Sequence, residues 1–175
     1  MADNGEVHGV GGEGKKKKVM VFIDETQESY YALLWVLENL QESLISSPLL
    51  IFAAEPLPNY INSFAASFSS ARLYCNVLSK ADLVNSAQEQ ERKVALGLLD
   101  KAKSICTSRG VNAVTISEVG DAKDAICSAV EKHNITLLAL AEQTIGRVAG
   151  TFKWSVSDYC VQYAKCPVLI VKKTV

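Results

Sequence analysis

The sequence predicts an α/β domain with a doubly wound, five-stranded parallel sheet and helices on both faces, a Rossmann-like arrangement. Three observations carry this expectation. Short apolar runs alternate with longer segments of helical period, in the order β-α-β-α-β-α-β-α-β. Four of the five runs are nearly continuous in apolar residues, the pattern of strands covered on both faces. The chain has 175 residues and is 49% hydrophobic, which suits one core and one domain.

In chain order, residues 1–14 hold five of the ten glycines and little that is apolar, so they read as a disordered tail (1–15) before a domain spanning 16–175. Lys15 to Lys18 lead into the first strand, 19–23 (VMVFI). They fit a solvated strand entrance; a nuclear-import signal is the alternative. Residues 28–43 repeat Tyr31, Leu34 and Trp35 near the helical period and predict the first helix. The second strand is 49–54 (LLIFAA). Residues 56–81, rich in Ser, Pro and Asn, fit neither period and suggest a surface excursion. The stripe Val84, Ala87, Val94, Leu98, Ile105 predicts a long helix over 82–108, stopped by Gly110. The third strand, 111–116, is the most mixed. Asp121 is an expected N-cap for helix 121–132, with Asp124 three residues on. The fourth strand is 135–141. Ser155, with Asp158 three residues on, caps helix 155–164, and 167–171 (PVLIV) is the fifth strand.

Composition limits the function classes. Lys+Arg is 18 and Asp+Glu 19, a net charge of −1, without the basic excess that a nucleic-acid or membrane-surface protein needs. The longest apolar run, Tyr30 to Leu37, has eight residues, whereas a spanning helix needs about 20. Neither a transmembrane segment nor a secretory signal is expected. His8 and His133 cannot build a multi-histidine metal centre. The five cysteines form no C-x-x-C pair and read as reduced thiols of a cytoplasmic protein.

In a doubly wound sheet, ligands bind beyond the carboxyl ends of the strands. That selects Asp24-Glu25-Thr26, Glu55-Pro56 and the stretch 141–155. Asp24 and Thr26 offer a carboxylate and a hydroxyl for a ligand, or a helix cap. The loop 141–154 feeds a helix N-terminus, where an anion would meet free N–H groups; Arg147, Lys153, Ser155 and Ser157 would add charge and hydroxyls. An ordinary solvated loop is the competing reading. No histidine, metal-ligand set or activated nucleophile converges on the loop, so an enzyme such as a slow ATP hydrolase finds no support; Glu142, the one acid there, could act as a base but reads as a solvated loop charge.

Asp24-Glu25-Thr26 with Glu28-Ser29 and Ala32-Leu33-x-Trp35, Gly120-Asp121-Ala122-x-x-x-Ile126, and Ser155-Val156-Ser157-Asp158-Tyr159-Cys160 followed by Cys166-Pro167-Val168-Leu169-Ile170-Val171-Lys172 together resemble universal stress protein A-like domains, in the form common in plants. The resemblance covers about residues 16–173. It implies an adenine-nucleotide alpha-hydrolase-like five-stranded sheet, a stress-response role without catalysis, and a homodimer through the last strand. In one branch it also implies ATP or AMP binding, through a G-x2-G-x9-G-[ST] loop after the fourth strand. Anchored on Ser155, the motif glycines fall on Ala141, Thr144 and Trp154. Glycines there supply positive φ and let backbone approach phosphate. Thr144 is β-branched, and Trp154 sets an indole directly before the helix that would hold the phosphate. The expectation is a degenerate phosphate loop in an interaction module that needs no cofactor. The alternative is ATP or AMP retained through Asp24, Thr26, Ser155 and Ser157.

Overall fold

The computed structural model describes residues 17–56, 80–142 and 155–173. The predicted tail, the excursion at 56–81 apart from its ends, and Thr144, Arg147, Lys153 and Trp154 lie outside the described residues. The elements run β1 (Val19–Phe22), α1 (Gln27–Asn39), α2 (Gln41–Ile45), β2 (Leu49–Glu55), α3 (Lys80–Ser108), β3 (Ala113–Val119), α4 (Ala122–Lys132), β4 (Leu137–Ala141), α5 (Val156–Tyr163) and β5 (Val168–Val171). All pairings are parallel, and the strand order is β3-β2-β1-β4-β5. This is the doubly wound sheet that the alternation predicts.

Side-chain alternation along β1 shows why the sheet is covered twice. Val19, Val21 and Ile23 pack with Leu33, Val36 and Leu37 of α1 and with Ala95, Leu99 and Ala102 of α3. Met20 and Phe22 point the other way, into Ala125, Ile126 and Val130 of α4 and Cys160 of α5. A central strand with two buried faces must be apolar throughout, and β1 is fully buried along its length.

Three predicted boundaries move, each for a local reason. The strand read at 111–116 is Ala113–Val119, because Val111 belongs to the end of α3. Gly110 (φ 71°) donates to Thr107 O at 3.0 Å, and Val111 N donates to Cys106 O at 2.9 Å, the paired bonds of a Schellman motif. The strand read at 135–141 starts at Leu137 for the same reason. Asn134 (φ 52°) donates to Glu131 O at 3.2 Å, and Ile135 N donates to Val130 O at 3.0 Å. The helix read at 28–43 breaks at Leu40, whose φ of −115° ends α1; α2 then restarts and tucks Leu44 into the core.

Candidate functional site

From β1 the chain winds outward through β2 to β3, then crosses to β4 on the other side, so the strand order reverses between β1 and β4. Beside that switch point a cleft of about 330 Å³ opens at the carboxyl ends of β1, β2 and β3. Its floor is apolar: Phe22 from β1 and Ile23 just after it, Ala54 from β2, Val94 and Leu98 from α3, and Val156 from α5. Among the described residues, its polar side chains are those of Asp24, Glu25, Glu91 and Asp121.

Three helix N-termini converge on this end of the sheet, and each is capped by its own chain. Thr26 Oγ1 accepts from Ser29 N at 3.3 Å, which makes Thr26 the N-cap of α1. Asp24 Oδ1 in turn accepts from Thr26 N at 2.9 Å and from the Thr26 hydroxyl. Buried Ser29 closes the turn, donating to Asp24 O at 3.1 Å. Asp24 therefore both supports the cap and lines the cleft, whereas Thr26 serves the cap. At α4, Asp121 Oδ1 accepts from Lys123 N at 3.1 Å, so a carboxylate of the protein occupies the place an anion would take. At α5, Ser155 Oγ accepts from Asp158 N at 3.0 Å. The Ser155 and Ser157 hydroxyls bond each other at 2.9 Å, and the residues are only 7% and 6% exposed. Both serines are thus engaged within the helix start, and only their neighbour Val156 reaches the cleft.

Of the three motif-glycine positions, Ala141 is described. It is buried with Ala32 and Val171, against Tyr31, Trp35 and Leu169. Glu142 is held outward by an ion pair to Lys172 at 3.2 Å. Tyr30, beside the cleft, donates to Leu98 O at 3.4 Å, and burial followed by the Asp24 charge pushes its phenol up. Beneath the α4–α5 face, burial raises the Cys127, Cys160 and Cys166 thiols, and Cys127 and Cys160 are hydrogen-bonded. Cys106 is raised to about 11, again by burial. Each of these shifts favours the thiol over the thiolate.

The structure brings Asp24 and Glu25 together with Asp121, which the sequence reading treated only as a cap. It adds Glu91, which that reading passed over. The signal for Glu91 was its spacing: it precedes Val94 and Leu98 by three and seven residues and so shares their helix face. Glu55, at the second predicted stretch, is buried; its carbonyl accepts from Gly120 N at 2.8 Å and so ties the end of β2 to the end of β3. Its neighbour Pro56 lines the cleft.

The model of the Universal stress protein family matches residues 16–172. The chain belongs to the universal stress protein family. The universal stress protein A-like protein of Arabidopsis thaliana is 32% identical over 95 residues, 54% of this chain and 54% of that protein. The chain therefore spans about half the length of that relative. Among solved structures, a universal stress protein family protein of Arabidopsis thaliana with AMP bound matches with a TM-score of 0.61 at 21% identity, over 91% of this chain and 93% of that one. The universal stress protein UspA of Lactobacillus plantarum matches with a TM-score of 0.66 at 14% identity, over 90% and 98%. Identities this low carry the fold. The doubly wound sheet of this universal stress protein agrees with them, and among its described residues no helix is long and apolar enough to cross a membrane.

Proposed function

We propose that this universal stress protein is a non-enzymatic stress-response module of the cytoplasm that works as a homodimer through protein partners, its phosphate loop having lost the grip on ATP. The buried Ser155–Ser157 pair is the observation that carries this reading. A phosphate at α5 would need these hydroxyls and the first N–H groups of the helix. Here the hydroxyls bond each other, and Ser155 already accepts from Asp158 N. Replacement of the three motif glycines by Ala141, Thr144 and Trp154 removes the backbone approach as well. Among the described residues no histidine, cysteine or lysine lines the cleft, so none of these offers an activated nucleophile or a phosphate clamp there. The edge position of β5 supports the dimer, since an apolar terminal strand gains from a second copy along its free side.

A second reading is favoured by the cleft itself. An open volume beside Asp24 would admit a nucleoside, and the Arabidopsis structure of the same fold holds AMP. Calorimetry on the full chain separates the two. The expected result is no saturable heat with ATP, and a gain of binding in the triple variant Ala141→Gly, Thr144→Gly, Trp154→Gly. Tight ATP binding to the unaltered chain, lost in Asp24→Ala, overturns the first reading in favour of the second.

A further inference from the structure

We propose that Ser47 is a phosphorylation site for a proline-directed serine/threonine kinase, and that the basic pocket beside it receives the phosphate. The site lies at the amino ends of β1 and β2, the opposite end of the sheet from the cleft, and stands independently of the proposed function.

Sequence and loop position mark the hydroxyl. The chain has four prolines, and the residues before them are Ser47, Glu55, Leu57 and Cys166. Ser47-Pro48 is therefore the one serine- or threonine-proline step in the sequence. It lies on the connection between α2 and β2, outside helix and strand, with Ser47 half-buried and Pro48 exposed. Proline disfavours helical backbone at the residue before it, so Ser47 favours the extended form that a kinase groove accepts.

The pocket supplies the charge. Within about 270 Å³, Ser47 shares the wall with Lys18, Lys132, His133 and Asn134. Lys18 is fixed from the β4 side: its N–H donates to Thr136 Oγ1 at 2.8 Å, and its carbonyl accepts from Thr136 N at 2.9 Å. Its ammonium donates to His133 O at 3.2 Å and so covers the carbonyl end of α4, which would otherwise repel an anion. A carbonyl is a neutral partner, and the ammonium keeps its charge for a phosphate. Lys132 is paired at 2.7 Å with Glu118, a single carboxylate. His133 Nε2 is shielded from solvent and has no hydrogen-bond partner. In the modification, the Ser47 oxygen bonds to the γ-phosphorus of ATP, the bond from that phosphorus to ADP breaks, and the hydroxyl proton passes to the kinase's base. The product carries a charge of about −1.5 to −2 and three acceptor oxygens, a match for ammonium donors.

The test treats the full chain with ATP and a proline-directed kinase, followed by mass spectrometry. One phosphate is expected on Ser47, and none in Ser47→Ala. Urea unfolding then compares the phosphorylated and unmodified chains at low ionic strength. Phosphorylation is expected to raise the folded-to-unfolded ratio about fivefold, through one or two charge-assisted bonds. That gain should shrink in high salt, where the Debye length falls to about 3 Å. It should vanish in the double variant Lys18→Gln, Lys132→Gln, measured against its own unmodified form. Failure of kinases of this class to label Ser47 overturns the assignment. A phosphate that leaves stability unchanged, lowers it, or stabilises the double variant equally overturns the pocket as its receiver. ATP calorimetry decides the proposed function separately, since neither result bears on the cleft.

Discussion

At the level of single residues, the cleft is shaped by what Asp24, Asp121 and Ser155 do for their own helices. Each terminates a strand-to-helix turn by accepting from a backbone N–H in or next to the first helical turn. At Asp24 and Asp121 the group that organises the turn also lines the cleft, whereas Ser155 is buried beside it. Ser155→Ala removes the α5 cap and strands the Ser157 hydroxyl in a buried site. It is expected to lower stability by about 1 kcal/mol, read from the shift of the urea unfolding midpoint. Ser155 was legible in the sequence because an N-cap with an acid three residues later is a purely local pattern. Glu91 was less so: its helix face can be counted from the sequence, but that this face overlooks the ends of β1 and β2 is a fact of packing.

At the level of elements, the doubly wound alternation was legible because buried parallel strands are apolar on both faces and the helices between them are striped. Two strand starts were misplaced for one shared reason. Val111 and Ile135 are apolar residues two positions before strands, yet each donates backward to close the preceding helix. A Schellman end often carries an apolar residue just after its left-handed position, and that residue reads as the first of a strand. Gly110 and Asn134 mark the two turns. At Gly110 an added Cβ would meet nothing within 4 Å, so only the backbone conformation opposes substitution. Gly110→Ala is therefore expected to cost about 1–2 kcal/mol without disturbing the core; unfolding by urea, with an unchanged slope, checks it. The break at Leu40 had no such marker, since a helix former sits there and only tertiary packing of Leu44 turns the chain.

At the scale of the whole molecule, the two edges of the sheet differ. β3 carries exposed Val114 and Val119 among polar residues, whereas β5 is a short apolar strand whose side chains pack inward. Pairing of two copies along β5 is the basis of the proposed homodimer, and sedimentation at tens of micromolar should give twice the chain mass; a monomer there removes it. The strand order carries one more consequence, for the life of the chain during synthesis. β1 sits at the centre of the sheet, and one of its two neighbours is β4. The bonds that set this pairing join Lys18 to Thr136, 118 residues apart. With translation at about 5–20 residues per second, on the order of ten seconds separate the emergence of those partners. Throughout that interval the most buried strand of the finished protein has one side open, bearing unpaired amides on a run of Val, Met, Val and Phe. The nascent domain therefore carries an adhesive surface from the emergence of β1 until β4 follows to cover it.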